Sequence, residues 1–174
     1  MHRSTRRLTL RPPTQDDVHS VFAIYGDPAT HRFNPAGPLK TQHHAAAMLK
    51  RWMVHWQSAG YGQWAIAERD APDVIIGFGG LDKRPYGPVE RLNLGYRFAV
   101  AAWGKGYATE LSQASLDFGF AELDVPEVFA MVRPGHGASI RVLEKVGMRC
   151  IDTLDDVPGE PPSLVYRASR AQER

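Results

Sequence analysis

Residues 101–110 read AAWGKGYATE, a glycine turn set between two segments of different period. Before it, residues 93–100 (NLGYRFAV) have strand character, with Leu94, Tyr96 and Phe98 alternating. After it, residues 107–120 have helical spacing, with Tyr107, Leu111, Ala114 and Phe118 on one stripe. Gly104 and Gly106 therefore occupy a tight strand-to-helix turn. Without a Cβ, each tolerates positive φ and lets another group approach the backbone closely. The first N–H groups of a helix have no partner inside it, and the dipole places positive partial charge at that end. Such a turn suits a phosphate. Taken alone, G-x-G after a strand is a weak signal, because ordinary loops share it.

Composition narrows the classes. A chain of 174 residues fits one domain with a real core. The net charge of +2 implies no broad basic face, so nucleic acid is not an expected partner. The N-terminal cluster Arg3, Arg6, Arg7 and Arg11 reads as a solvated arm and edge strand. One cysteine, Cys150, excludes an internal disulfide, and its apolar context (VGMRCI) favours an inert buried thiol over a nucleophile. No long apolar run and no signal-peptide core are present, so no membrane partner is expected and a reducing cytoplasm is the simplest location. The scattered histidines show no zinc-site spacing, so no metal is expected.

Along the chain, residues 8–11 (LTLR) alternate as a first strand that Pro12-Pro13 ends. Thr14, with Asp17 three residues on, caps a helix whose Val18, Val21, Phe22 and Tyr25 share a face. Residues 27–40 form a loop holding Phe33. Thr41 caps a second helix, with Ala45, Met48, Leu49, Trp52, Met53 and Trp56 as its stripe and Gly60 at its end. The tryptophans read as core, with Trp52 or Trp56 as the alternative wall of a pocket. Strands follow at 63–68 and 74–81; the glycines of VIIGFGGL point to a bulge or a close backbone approach. Residues 82–90 read as a hairpin loop. After the long helix come a strand at 127–133, a short helix at 138–146 stopped by Gly147, and a closing hairpin (149–153 and 163–167) around an acidic loop. This order gives one α/β domain on a mixed sheet over residues 1–168, with 169–174 expected as a disordered tail.

Two motifs in this order look familiar. WGKGYATE strongly resembles motif A of the GNAT acetyltransferases, Arg/Gln-x-x-Gly-x-Gly/Ala, with Ala101 where the family has Arg or Gln. RPGHGASIRVLEKVGM (133–148) resembles motif B in the branch of the ribosomal-protein-alanine N-acetyltransferases. There His136 stands for the usual Asn and Met148 for Phe, while Ser139 and Gly147 match. The opening TRRLTLR is similar to that branch too.

The resemblance implies a mixed, largely antiparallel sheet splayed around an acyl-coenzyme A site, with about four helices. It also implies acetyl-coenzyme A as cosubstrate. Its phosphates would lie on Gly104, Lys105, Gly106, Tyr107, Ala108 and Thr109, and its pantetheine along Phe98, Ala99 and Val100, with His136 and Ser139 close by. The activity implied is transfer of acetyl to a primary amine, on a protein N-terminus or a small molecule, by direct attack in a ternary complex. The usual Glu before the Gly-Tyr of the strand is Asn93 here, and the usual motif B Tyr is Leu143. His136 and Ser139 are then the candidate catalytic residues, with Tyr96, Glu68 and Asp82 behind them. Asp152, Asp155, Asp156 and Glu160 could attract a cationic amine, or could be solvated loop charge. Two other classes stay open: a non-catalytic acyl-coenzyme A binder, and a nucleotide-binding domain, which lacks Gly-Lys-Ser/Thr here. The acceptor is open, as is a homodimer.

Overall fold

The computed structural model describes residues 2–170. Its elements are β1 (Arg3–Ser4), β2 (Leu8–Arg11), α1 (Val18–Tyr25), α2 (Gln42–Ala59), β3 (Gln63–Glu68), β4 (Ala71–Tyr86), β5 (Val89–Phe98), α3 (Tyr107–Ala121), β6 (Glu127–Val132), α4 (Gly137–Lys145), β7 (Arg149–Leu154) and β8 (Ser163–Ser169). One sheet runs β1-β2-β3-β4-β5-β6-β8-β7. Every neighbouring pair is antiparallel except β5 and β6. This is the mixed, largely antiparallel α/β domain with four α-helices that the sequence implied.

The two faces of the sheet carry different helices. Leu81, Leu94, Phe98 and Val128 pack with Leu111, Leu116 and Phe118 of α3 and Leu143 of α4. Ala65 and Phe78 pack with Val21 and Ile24 of α1 and Ala45 and Leu49 of α2. Full burial of each Leu, Ile, Val or Phe among them contributes about 1.5–3 kcal/mol. The two faces together therefore fix both helix pairs to one sheet.

Four readings of the sequence change. The hairpin loop expected at 82–90 is strand for most of its length. β4 and β5 pair from Gly77↔Phe98 to Tyr86↔Val89, and only Gly87-Pro88 turn. Pro85 and Pro88 look like breakers in sequence, but they sit at the outer end of a long ribbon. The expected solvated arm is pinned instead: Arg11 forks onto Asp17 at 2.6 and 2.7 Å, and Arg3 pairs with Glu122. Cys150 is exposed, because β7 is an edge strand with most of its residues open. The last strand reaches Ser169, and the Arg170 N–H donates to Pro126 O at 3.0 Å, so order extends past 168. The rest of the expected tail, 171–174, lies outside the described residues.

The β4 glycines do mark close approaches. A Cβ at Gly79 would lie 2.6 Å from Leu111 Cδ2 and from Tyr96 Cβ, and one at Gly80 would lie 2.4 Å from Gly62 O. The register also shifts near Ile66 and Ala67, a bulge next to Gly77. Gly79→Ala is expected to destabilise by about 1–3 kcal/mol, the usual cost of overpacking. Urea unfolding measures this, with an unchanged midpoint as the contrary result.

Candidate active site

The glycine turn is built on two left-handed residues. Gly104 has φ 74 and Gly106 φ 80, both strained for any side chain, and Gly106 is the N-cap of α3. The first helical bond runs from Glu110 N to Gly106 O at 3.1 Å. Ahead of it, the N–H groups of Tyr107, Ala108 and Thr109 have no intrahelical carbonyl to meet. That is an anion cradle at the positive end of a 15-residue helix. The residues present fit a phosphate.

Residues far away in sequence hold the turn. The Arg7 N–H and Nε each donate to Glu110 at 2.7 Å, and Arg7 Nη1 donates to Lys105 O at 2.8 Å. The Arg7 guanidinium also lies 4.7 Å over the Tyr107 ring, whose hydroxyl donates to Glu68 at 2.7 Å. Lys105 pairs with Glu68 at 3.6 Å. Glu68, weighed as a distant catalytic candidate, is thereby a support of the turn. That hydrogen bond, followed by the charges of Lys105 and Arg7, lowers its pKa. Ala101 sits exposed in a short turn (Val100–Ala102) with no side chain to contribute.

Beside the turn, the sheet opens. β5 and β6 pair at one register position among the described residues, Asn93↔Phe129. Toward their C-terminal ends the strands part. The Ala99 N–H donates to Ile76 O of β4 at 2.9 Å. By the alternation of an antiparallel ladder, Arg97 and Ala99 turn their backbone groups to β4, whereas Tyr96 and Phe98 turn theirs into the gap. The Phe98 carbonyl there accepts from Trp103 Nε1 at 3.0 Å. The Phe98 N–H faces the gap, and the Ala99 N–H does not. Val100 begins the turn beyond the strand, with its carbonyl accepting from Trp103 N at 3.0 Å. The role of Trp103 had no signal in the sequence beyond its place in the motif.

α4 closes one wall of the gap. His136 is its N-cap, and His136 Nδ1 accepts from Ser139 N at 3.3 Å. That assigns the ring proton to Nε2, which lies 3.2 Å from Ser139 Oγ. The Tyr96 hydroxyl donates to the same Oγ at 3.3 Å. With two donors on its oxygen, the Ser139 hydroxyl keeps its own proton free to donate elsewhere. Phe33 stacks on His136 with centroids 4.3 Å apart. Burial first, and then the charge of Arg97, lowers the His136 pKa. Burial pushes Tyr96 up to about 12, so it serves as a donor and not as a base. The structure thus brings together His136, Ser139 and Tyr96. The Asn93 amide accepts from the Tyr86 hydroxyl at 2.7 Å, and Leu143 is core.

Adjacent residues of a strand point to opposite faces. Arg97 therefore turns away from Tyr96, into a cavity of about 910 Å³ on the α1–α2 side. Loop residues 34 and 36–40, Trp52 and His55 of α2, Asp82 of β4 and Gly95 of β5 border it. Trp52 is a wall here, and it also packs 5.3 Å from Phe78. Asp82 gives one oxygen to Arg84 Nε at 3.0 Å, and its other oxygen is buried without a hydrogen-bond partner among the described residues. Burial raises its pKa. The closing hairpin does not reach this cavity, and its Asp156 is held by Arg133 and Ser163. No group of three or more His, Cys, Asp or Glu is placed to hold a metal among the described residues. No helix among them is long and apolar enough to cross a membrane.

A glycine cradle at a helix start beside a parted sheet is the arrangement that the resemblance to the GNAT acetyltransferases implies. The family model for the acetyltransferase (GNAT) domain matches residues 7–149. The chain belongs to the GNAT acetyltransferases, whose acetyl donor is acetyl-coenzyme A. An uncharacterized protein, YkkB of Bacillus subtilis (strain 168), is 33% identical over 156 residues, 86% of each chain. The crystal structure of an acetyltransferase from Agrobacterium tumefaciens superposes with a TM-score of 0.80 at 26% identity, over 98% of this chain and 95% of that one. RimJ of Mycobacterium smegmatis, solved with CoA-disulfide, shares the fold with a TM-score of 0.79 at 20% identity, over 97% of this chain and 87% of that one.

A buried histidine, His31, and a half-buried one, His136, make a prediction. Burial lowers the pKa of both His31 and His136 from the ordinary 6.5. Below that value the unfolded chain takes up protons that the folded chain resists, so stability falls as pH drops. The melting temperature is expected to fall between about pH 7.5 and 5.5. His136→Asn, which keeps a side-chain acceptor at the N-cap, should show a smaller fall. An equal fall in both proteins would remove His136 from the account.

Proposed function

We propose that the chain is an N-acetyltransferase that moves acetyl to a primary amine by direct attack in a ternary complex. The observation that carries this reading is the gap between β5 and β6. It lies between a phosphate cradle on one side and a large cavity on the other. Donor and acceptor can thus meet through the sheet. Acetyl-coenzyme A supplies a thioester already activated toward an amine, so positioning is the protein's main task.

The amides at 104–109 hold the phosphates, and Lys105 adds charge at their edge. Phe98 and Val100 present backbone to the pantetheine, with the Phe98 N–H as the donor for negative charge developing on the thioester oxygen. Ser139 Oγ–H donates to the departing sulfur, and Tyr96 and His136 orient that proton by filling the oxygen's other positions. The nitrogen–carbon bond forms, the carbon–sulfur bond breaks, the Ser139 proton goes to the sulfur, and the proton lost by the amine returns through water to Ser139 Oγ. His136 is a positioning residue in this scheme. Membership of the ribosomal-protein branch is supported by the motif B letters, and a protein N-terminus is one acceptor that reading allows.

Thiol release from acetyl-coenzyme A, measured over a panel of amines and N-terminal peptides, tests the proposal. Ser139→Ala is expected to lower kcat by about 10- to 100-fold while cofactor binding is retained. Gly106→Val, forced to positive φ, is expected to weaken cofactor binding itself. Cofactor binding with no turnover on any amine would point instead to an acyl-coenzyme A binding module.

A further inference from the structure

The cavity has a charge that the composition of the whole chain hides. Its border carries Lys40, Arg51, Lys83, Arg84 and Arg97 against the single carboxylate of Asp82. Arg84 is paired with that carboxylate. The ion pairs among the described residues include none of Lys40, Arg51, Lys83 or Arg97. A concave site lined by one sign concentrates ligands of the other sign.

Arg97 is the focus of this field. It is half-buried, yet its described partners are neutral. Arg97 Nη1 lies 2.9 Å from His31 Nδ1 and closer still to His31 Nε2, and the guanidinium stands 4.7 Å over the Tyr25 ring. His31 Nε2 also lies 2.7 Å from Tyr25 O, so the ring is held between the guanidinium and that carbonyl. Burial, reinforced by Arg97, keeps His31 neutral, so it orients the cation without cancelling it. A guanidinium has five N–H donors, and most of these stay unspent. Beside Arg97 the floor is Gly95, with no side chain to cover it. The flanking residues Tyr96 and Phe98 turn their backbone groups into the gap, and Arg97 is close enough to His136 to act on it electrostatically.

We propose that the acceptor is a primary amine that also carries a small oxyanion, such as a carboxylate, and that Arg97 receives this oxyanion in a two-pronged hydrogen bond. The fork of a guanidinium matches a planar oxyanion, which neither His31 nor the ring of Tyr25 can replace. With the anion on Arg97, an amine a few bonds away lies at the mouth of the gap. A polyamine would meet unpaired cations at the same place. The inference rests on the acetyltransferase reading.

The test is thiol release from acetyl-coenzyme A with acceptors matched in all but charge. These are amino acids against their amides and acidic N-terminal peptides against amidated ones, with spermidine beside them. The acid form is expected to exceed its amide in kcat/KM by roughly 10- to 100-fold, with the preference shrinking as salt rises. A preference among the free amino acids names a small-molecule source; one confined to the peptides names a protein terminus. Arg97→Gln should raise KM for the acid form by a larger factor than for the amide, so that the acid preference falls toward one, with a thermal melt confirming the fold. Lys83→Gln, at the rim, should lower the acid preference by a smaller factor. Equal use of acid and amide, or preference for spermidine over every anionic amine, would overturn the inference and leave the acetyltransferase reading standing. Failure of every acceptor to release thiol would remove both.

Discussion

The structure depends on a pairing that stops. β5 and β6 meet at Asn93↔Phe129 and then separate, although both continue for several residues. Elsewhere β6 is fully engaged, since β8 pairs along it from Glu127↔Ser169 to Val132↔Leu164. The backbone groups of Tyr96 and Phe98 are left facing a slot instead of a neighbour strand. Unpaired backbone polar groups are costly when buried. Here the Trp103 indole meets one of them, and an entering chain with amide groups can meet others. A gap in a sheet is thus an unfinished edge that a ligand can complete.

The glycine turn adds a second constraint. Its left-handed residues would be soft alone, yet the N-terminal segment clamps them. The Thr5 hydroxyl donates to Glu110 at 2.5 Å, and Arg7 ties Glu110 to Lys105 O. Glu110 thereby fixes both the first turn of α3 and the strand lead-in between β1 and β2. Hydrogen bonds from Thr5 and from Arg7, with the charge of Arg7, outweigh its burial and lower its pKa. The start of the chain is therefore part of the phosphate site in space, although it is a hundred residues away in sequence.

Local grammar explains what could be read from the letters alone. The glycine turn, the cap at Thr41 and the stop at Gly147 each rest on residues within a few positions of one another, and all three stand where the sequence placed them. The motif B serine and histidine also fall at a helix start, as read. What escaped depends on distance. Arg7 meets residue 110, Tyr96 meets Ser139 and Arg97 meets His31, and no spacing rule connects such pairs. Arg97 did leave one trace: a charged residue between Tyr96 and Phe98, on the face shared with Asn93 and Gly95. Cys150 misled for a related reason, since an apolar neighbourhood in sequence does not reveal that its strand is the last in the sheet.

One segment of β5 sends side chains to both faces of the sheet, and the glycines of β4 lie opposite it. Tyr96 reaches Ser139 on the α3–α4 face, and Arg97 reaches His31 on the α1–α2 face. Because the side-chain period of a strand is two, a slip of one residue would exchange these roles and destroy both. The register therefore has to be held firmly opposite this pair. Phe78 lies across from Arg97 and Gly79 across from Tyr96. Phe78 is locked in the α1–α2 core, while Gly79 lets Leu111 of α3 settle against the strand. A large side chain on one face and none on the next leaves one comfortable register. The same packing that stabilises the sheet thus decides which residue faces α3 and α4 and which faces α1 and α2.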